Sequence, residues 1–124
     1  TDMYPEGMAQ STIVVENTLT HVLCGATRPG HFEGVTTVVA KLLNIIQPDS
    51  VYLGEKDYQQ CLVIKKMIND LFIPCQLEIV PTFREDDGLA MSSRNNLLTS
   101  EQRQKAPLLR RPLAILKDQL LDNS

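Results

Sequence analysis

The sequence of 124 residues is 43% hydrophobic and 22% charged, which is the balance of an ordinary globular domain built around one core. Its net charge is −3, no basic stripe is present, and no run approaches the ~20 apolar residues that a membrane span needs. These features argue against nucleic-acid binding, membrane insertion and disorder.

The three cysteines, Cys24, Cys61 and Cys75, are widely spaced and form no C-x-x-C pair. This pattern argues against a disulfide framework and a zinc site, and it favours reduced core thiols in a cytoplasmic protein. The opening residues from Thr1 contain neither a basic nor an apolar region, so no signal peptide is evident. We expect the chain to begin partway through a larger protein.

The first third of the chain predicts short elements. Residues 4–7 form a turn, because they join a proline to a glycine. Residues 13–15 are a short strand candidate, residues 17–24 predict a short helix closed by Gly25, and residues 26–32 predict an irregular loop.

The middle of the chain predicts helix, strand, helix and strand in that order. The first helix has a 3.6-residue apolar stripe made by Val35, Val38, Val39, Leu42, Leu43 and Ile46. Residues 50–53 predict a buried parallel strand, and Asp57 is a natural N-cap for the next helix. That helix has its stripe at Cys61, Ile64, Ile68 and Leu71. Residues 76–80 alternate as a second strand, so we predict an α/β fold with a parallel sheet and right-handed crossovers.

The last third predicts a loop and a helix. Residues 83–94 show no periodicity, and Thr99 with Gln102 makes a capping box. The final helical stripe consists of Leu109, Leu113, Leu116 and Leu120. Pro107 and Pro112 lie inside that pattern, so a kink or a late helix start is expected.

Lys56 lies at the start of a helix, where a cation opposes the macrodipole at a cost of ~0.3–1 kcal/mol. A bound anion would reverse that sign, which favours a phosphate site at the strand-to-helix junction of residues 54–57. The alternative is that Glu55 and Asp57 neutralise Lys56 on the surface. The residues alone leave both interpretations open.

Three other polar groups are candidates for chemistry. Residues 91–95 combine two hydroxyls with Arg94, which suits phosphoryl oxygens, although the residues alone favour an N-cap serine beside a solvated arginine. Residues 28–31 present an arginine and His31 on a rigid loop, as a possible general base or a histidine that bonds the backbone. The acidic residues 85–87 suit hydrated Mg²⁺ but are more typical of a solvated loop, so we assign no metal.

The chain resembles the pantothenate synthetases, which are ATP-dependent pantoate–β-alanine ligases. The resemblance rests on motifs at residues 3–7, 28–35, 47–49, 54–60 and 87–95. It implies a Rossmann-like, nucleotidylyltransferase-type parallel sheet with flanking helices, in a cytoplasmic homodimer. It also implies that pantoate and ATP form pantoyl adenylate and pyrophosphate, after which β-alanine gives pantothenate and AMP. ATP would act as a substrate with Mg²⁺ as its counter-ion, without a tightly bound cofactor.

The resemblance also implies roles for individual residues. ATP would be bound by Gly54, Glu55, Lys56, Asp57, Phe83, Met91, Ser92, Ser93 and Arg94. Among these, the catalytic group would be Lys56, Ser92, Ser93 and Arg94, with residues 91–94 forming a mobile loop over the phosphates. Pantoate and its surroundings would involve Gln60, Arg28, His31 and Tyr4. Phe83 stands where the family often has a smaller aliphatic residue.

Two parts of the family pattern are not found in these 124 residues. The His-x-Gly-His signature is missing, as is the C-terminal lid domain. We therefore expect residues 1–98 to be the second part of the nucleotide-binding domain and residues 99–124 to be a connecting helix. The chain alone should have little or no ligase activity. Two alternatives are a related nucleotidylyltransferase with another carboxylate substrate and a non-catalytic interaction module.

Overall fold

The computed structural model describes residues 2–122, which form two compact units, one ending at Pro81 and the other beginning at Thr82. The helices and strands in chain order are α1 (Leu23–Thr27), α2 (His31–Ile46), β1 (Ser50–Gly54), α3 (Tyr58–Asp70), β2 (Gln76–Val80), α4 (Ser100–Lys105) and α5 (Arg110–Asp122). Among the described residues, no helix is both long and apolar enough to cross a bilayer. The domain boundary expected between residues 98 and 99 stays a prediction.

Strands β1 and β2 form a parallel pair, in which Ser50 lies opposite Gln76 and Gly54 lies opposite Val80. Helix α3 connects the two strands, which confirms the predicted parallel pairing. Both strands therefore end at the same edge of the sheet. At that edge the chain passes from β1 through a short 3-10 turn, Glu55–Asp57, into α3.

Helices α2 and α3 share a core that packs against the sheet. Its buried members are Ala40, Leu43, Ile64, Met67 and Ile68. Val51, Leu53 and Leu77 from the strands pack against this cluster. Burying a side chain of this size contributes about 1.5–3 kcal/mol, so the cluster fixes β1 and α3 relative to α2.

Strand β1 is only half-buried, so the prediction of a buried strand is correct for one of its faces. Val51 and Leu53 pack on the core, whereas Tyr52 is 66% exposed. Successive strand side chains point to opposite faces, and helices cover one face of this sheet within the described residues.

Helix α2 is confirmed, but it begins four residues before the predicted start and its buried face is rotated. The buried residues are Phe32, Thr36, Thr37, Ala40 and Leu43. Two members of the predicted stripe, Leu42 and Ile46, are 40% and 66% exposed. Because α2 begins at His31 and α1 ends at Thr27, the irregular loop predicted at residues 26–32 is reduced to three residues.

The strand predicted at residues 13–15 does not form, because threonines of α2 satisfy the backbone there. The N–H of Val14 donates to Oγ1 of Thr37 at 2.9 Å, and the carbonyl of Val14 accepts from Oγ1 of Thr36. The hydroxyls of two buried threonines thus make the backbone hydrogen bonds with Val14 that a neighbouring strand would make.

The helix predicted at residues 17–24 was also wrong, since α1 spans Leu23–Thr27 and runs through the glycine expected to close it. The buried carboxylate of Glu16 accepts from the N–H groups of Thr18 and Leu19 at 2.8 and 2.7 Å. Burial raises the pKa of Glu16, but the hydrogen bond from the Thr18 hydroxyl, together with those from the two N–H groups, outweighs burial, and the net pKa is lowered. The turn that these residues make around the Glu16 carboxylate therefore replaces the first turn of the expected helix.

The second unit contains α4 and α5. Oγ1 of Thr99 accepts from the N–H of Gln102 at 3.3 Å, and the Gln102 side chain accepts from the N–H of Thr99 at 2.9 Å. The predicted capping box is therefore confirmed. A 3-10 turn at Ala106–Leu109 separates α4 from α5, which confirms the late helix start expected from the prolines.

The three cysteines are free, but they occupy different environments. Cys61 is buried, as predicted, and its thiol donates to the carbonyl of Gly54 at 3.4 Å. Burial and then the nearby charge of Asp57 raise the pKa of Cys61. Cys24 is exposed, so its prediction as a core thiol was wrong.

Candidate active site

A pocket of about 330 Å³ in the first unit gathers residues from the start of α2 and the start of α3. Its lining is Leu23, Cys24, Arg28, His31, Phe32, Lys56, Asp57, Tyr58, Gln59 and Gln60. Five of the predicted site residues, Arg28, His31, Lys56, Asp57 and Gln60, therefore surround one opening. Gly54 ends β1 and Glu55 begins the 3-10 turn, directly before Lys56.

One wall is the junction between β1 and α3. Lys56 lies in the middle of the 3-10 turn and is exposed. Asp57 occupies the N-cap position predicted for it, but its side chain makes no capping hydrogen bond to α3. The first amides of α3 are therefore left without a carboxylate partner from the cap, and an anion is favoured at such an end.

The opposite wall is the loop that enters α2. The N–H of His31 donates to the carbonyl of Arg28 at 3.1 Å, and Gly30 holds a φ of 74° before the helix. Glycine adopts this left-handed conformation without the cost that a Cβ brings. The ring of His31 packs on Phe32, with ring centroids 5.0 Å apart. Because Gly30 is the N-cap, α2 also begins without a side-chain cap.

The charge of this pocket differs in sign from that of the whole chain. Its lining includes Arg28 and Lys56 as cations and Asp57 as a carboxylate, while the chain carries a net charge of −3. Two uncapped helix amino termini add partial positive charge at the same opening. This combination is suited to an anion with several oxygens, such as a carboxylate or a phosphate chain.

The second unit holds the other predicted ATP residues. Phe83 and Met91 are 71% and 60% exposed, and the N–H of Met91 donates to the carbonyl of Phe83 at 2.9 Å. Oγ of Ser92 accepts from the N–H of Arg94 at 3.2 Å and so caps the 3-10 turn Ser93–Leu97. Ser93 and Arg94 are exposed. Ser92 therefore makes the N-cap that was predicted as its alternative role, while Ser93 and Arg94 remain exposed.

A profile of the pantoate–β-alanine ligase family matches residues 1–123. The chain belongs to this family. Pantothenate synthetase of Moorella thermoacetica is 59% identical over 117 residues, which are 94% of this chain and 41% of the relative. Pantothenate synthetase of Cellvibrio japonicus is 52% identical over 124 residues, which are 100% of this chain and 44% of the relative. The chain thus spans less than half the length of these relatives.

Solved structures of the family also match this chain. Pantothenate synthetase of Thermus thermophilus superposes with a TM-score of 0.91 at 51% identity, covering 98% of this chain and 44% of the other. Pantoate–β-alanine ligase of Francisella tularensis, complexed with β-γ ATP and β-alanine, has a TM-score of 0.80 at 44% identity, covering 86% and 40%. These matches confirm the predicted α/β fold, a partial Rossmann-like sheet of the nucleotidylyltransferase type.

Within this family framework, Tyr4 is the one predicted substrate residue that lies elsewhere in the first unit. It does not line the pocket described above, and the ammonium of Lys41 lies 3.9 Å from the centre of its ring. Lys41 also donates to the carbonyl of Met3 at 2.8 Å. Tyr4 thus helps to hold the start of the chain on α2, and its role towards substrate stays a prediction.

Gln59 is a pocket residue that the sequence analysis missed. Its side-chain amide donates to the carbonyls of Leu19 and Val22 at 2.8 and 2.7 Å, and its carbonyl accepts from the N–H of Cys24 at 3.0 Å. One side chain of α3 therefore holds the segment that forms another wall of the pocket. The only signal in the sequence was its place beside Gln60, because its partners are backbone groups 35 to 40 residues away.

The acidic loop has a structural role. Arg103 of α4 forms ion pairs with Glu85 at 2.6 Å and with Asp87. Hydrogen bonds from Asn95 and then Arg103 lower the pKa of Glu85, and the hydrogen bond from Arg103 lowers the pKa of Asp87. Two of the three carboxylates at residues 85–87 are thus engaged by a cation. The absence of a metal site stays a prediction.

Proposed function

We propose that this chain carries part of the active site of an ATP-dependent, AMP-forming ligase that joins pantoate to β-alanine. The observation that supports this most directly is the pocket in which two uncapped helix ends meet Arg28 and Lys56, in a chain of the pantoate–β-alanine ligase family. The relative from Francisella tularensis was solved with β-γ ATP and β-alanine, which supports the same two ligands here.

In the first proposed step, a carboxylate oxygen of pantoate attacks the α-phosphorus of ATP. The bond between that phosphorus and the bridging oxygen of the β-phosphate breaks, and pyrophosphate leaves with the electron pair. Negative charge grows on the phosphoryl and leaving oxygens. Cations and N–H donors that are already in place lower this barrier without reorganising during the reaction.

Lys56 is the proposed electrostatic partner of the phosphates on the pocket side. Its exposed ammonium stands on the turn before α3, beside amides that the cap leaves open. Asp57 is proposed to contact the ribose and Gln60 the pantoate, both as hydrogen-bonding groups. Arg28 and His31 border the same space, and Arg28 compensates the pantoate carboxylate before it reacts.

Ser92, Ser93 and Arg94 are proposed to bind phosphoryl oxygens from the second unit, together with Met91. Ser93 and Arg94 are exposed on a short 3-10 turn, so a ligand can reach their hydrogen-bond donors directly. Phe83 is proposed to lie against the adenine. ATP enters with Mg²⁺ as its counter-ion, since hydrated Mg²⁺ is the usual companion of substrate phosphates.

In the second proposed step, the amine of β-alanine attacks the acyl carbon of pantoyl adenylate. The carbon–oxygen bond to the phosphate breaks, AMP leaves, and the nitrogen loses a proton to give the amide of pantothenate. The proposal includes a cytoplasmic homodimer without nucleic acid. The cytoplasmic location is supported by the free cysteines, and the exclusion of nucleic acid is supported by the net charge of −3.

A chimera tests this function. The aligned segment of Moorella thermoacetica pantothenate synthetase, 41% of that protein, is replaced by the corresponding 117 residues of this chain. We expect the chimera to form pantothenate and AMP in equal amounts from ATP, pantoate and β-alanine. The pocket variant of the chimera is Lys56→Met. Its matched control is Lys65→Met, because Lys65 is exposed on α3 and does not line the pocket.

A chimera that unfolds as cooperatively as its parent but forms no pantothenate would contradict the proposal. Activity lost equally in Lys56→Met and Lys65→Met would also count against it, because only the first changes the pocket.

A further inference from the structure

The loop that precedes Ser92 is an ordered hairpin. The N–H of Glu85 donates to the carbonyl of Leu89 at 2.9 Å, and the N–H of Met91 donates to the carbonyl of Phe83 at 2.9 Å. At the tip, the N–H of Gly88 donates to the carbonyl of Glu85 at 2.8 Å. Residues 83–91, called the hairpin below, therefore have a defined backbone path that ends directly at Ser92.

Arg103 ties this hairpin to α4. One guanidinium nitrogen meets Oε2 of Glu85 at 2.6 Å and another meets Oδ2 of Asp87. These side chains are 31–40% exposed, and the partners are 16 and 18 residues apart in sequence. A rigid, planar fork can hold two carboxylates at once, which a lysine ammonium does less well.

A second tie comes from the turn that carries Arg94. The side-chain amide of Asn95 donates to Oε1 of Glu85 at 2.9 Å and to the carbonyl of Ala90 at 3.1 Å. The Glu85 carboxylate therefore receives Arg103 on one oxygen and Asn95 on the other. Residues 91–94 lie between two anchored points, Ala90 and Asn95, so their placement depends on the junction at Glu85.

We propose that Arg103 is a positioning residue for the phosphate-binding segment 91–94. It holds Glu85 and Asp87, these hold the hairpin, and Glu85 together with Asn95 sets the turn that presents Ser93 and Arg94. The inference rests on the proposed function for its effect on catalysis, while its structural part stands on contacts inside the second unit. Arg103 itself touches no substrate in this scheme.

These contacts predict the effect of losing the Arg103 side chain. Without Arg103, Glu85 and Asp87 keep their negative charges on one hairpin with no cation to bridge them. Like charges at this spacing repel, and the carboxylate of Glu85 would lose one of its two partners. The hairpin would open more often, and Arg94 would spend less time where it can meet a phosphoryl oxygen.

Helix α4 offers a matched control. Lys105 pairs with Glu101 at 2.5 Å, one turn away on the same helix, and these side chains are 69% and 77% exposed. This pair has the same kind of charges, but its ion pair joins two residues of α4 and does not involve the hairpin. Lys105→Met removes a surface ion pair, which usually contributes little, whereas Arg103→Met removes the tie between two elements.

The first arm of the test follows amide hydrogen exchange in the 124-residue chain. We expect Arg103→Met to speed exchange at the N–H groups of Glu85 and Met91 about tenfold or more, and Lys105→Met to leave it unchanged. Arg103→Lys should fall between them, and it serves as the readout if the methionine variant does not fold. Unchanged exchange in Arg103→Met would overturn the structural part. If the methionine variant does not fold, unchanged exchange in Arg103→Lys would overturn it.

The second arm measures kinetics in the Moorella thermoacetica chimera. Arg103→Met should lower kcat about tenfold or more and leave KM for pantoate within twofold, because the hairpin acts on phosphate stabilisation. An unchanged kcat, or a rise in KM for pantoate alone, would overturn the catalytic part. A chimera that is inactive with Arg103 intact contradicts the proposed function, and hydrogen exchange then decides the positioning role alone.

Discussion

Lys56 stands at a helix amino terminus, where a cation is unfavourable until an anion arrives. We therefore expect Lys56→Met to leave the free energy of unfolding of the ligand-free chain unchanged or slightly higher. In the chimera the same change should lower kcat about a hundredfold, because one well-placed charge contributes roughly 3 kcal/mol to the transition state. Urea unfolding and steady-state kinetics measure the two effects.

The opposite pattern would contradict this account of Lys56. If Lys56→Met destabilised the free chain and left kcat unchanged, the ammonium would be a structural partner of Glu55 and Asp57.

Gly88 and Gly34 should respond to alanine with opposite signs. Gly88 holds a φ of 86°, and a Cβ there would lie 2.8 Å from a guanidinium nitrogen of Arg110. We expect Gly88→Ala to lower the free energy of unfolding by about 1–2 kcal/mol, the usual cost of a left-handed non-glycine residue. Gly34 lies inside α2 with open space around a Cβ, so Gly34→Ala should raise it by about 1 kcal/mol.

Denaturant unfolding of the two variants beside the parent chain checks this pair. Destabilisation by both substitutions would show that Gly34 is constrained by something other than its helix. Stabilisation by both would show that the hairpin tip tolerates a side chain.

At the scale of elements, two neighbouring glutamines of α3 have separate tasks. Gln59 bonds the backbone of Leu19, Val22 and Cys24, whereas Gln60 lines the pocket beside it. We expect Gln59→Leu to speed hydrogen exchange at the N–H of Cys24 about tenfold and to destabilise the chain. Gln60→Leu should leave that exchange unchanged and raise KM for pantoate in the chimera about tenfold. Equal effects of the two variants on both readouts would refute this division.

The hairpin and α4 should make stability depend on acid pH. The pKa values of Glu85 and Asp87 are lowered in the folded chain, so both bind protons less readily than when unfolded. Their contribution is therefore present above the unfolded pKa and is lost as pH falls through the folded pKa. We expect the free energy of unfolding to drop below pH about 4.5, the ordinary pKa of a glutamate.

Arg103→Met isolates this effect, since the buried Glu16 of the first unit also has a lowered pKa and adds to the acid loss. Unfolding in urea between pH 7 and pH 3 should show a shallower pH dependence in Arg103→Met than in the parent. Parallel curves for the two proteins would mean that the ion pairs with Arg103 contribute nothing to folding.

Strong periodic elements were predictable from the sequence, and so was the buried face of α3, where Cys61, Ile64 and Ile68 are buried, whereas the buried face of α2 was predicted only in part. The stripe of α2 and the alternation of β2 located both elements because the pattern and the length agreed. Part of the buried face of α2 was missed because Thr36 and Thr37 are polar by type, yet they bond the backbone of Val14. Such partners lie more than 20 residues away, and no local pattern reports them.

The candidate site was predictable in part for a related reason. Local motifs located Lys56, Asp57 and Gln60 at a strand-to-helix junction, and the fold places Arg28 and His31 beside them. Gln59 and Arg103 escaped because their function depends on contacts made only after folding. A polar side chain that holds another segment looks the same in a sequence as one that faces water.

At the scale of the whole molecule, the chain spans 41–44% of the length of its curated relatives. The pocket in the first unit offers two helix ends and two cations, and the second unit offers Ser93 and Arg94 on an exposed turn. We propose that each of these sets serves the ligase only in the company of the remaining family segments. The 124-residue chain alone should therefore show no ligase activity.

The most direct test is pantoate-dependent exchange of labelled pyrophosphate into ATP without β-alanine, because only a reversible adenylate step permits it. The account predicts exchange in the chimera that requires pantoate, falls about a hundredfold in Lys56→Met, and is undetectable in the 124-residue chain alone. Exchange without pantoate, or none in a folded chimera, would contradict the central claim that this chain helps to activate pantoate.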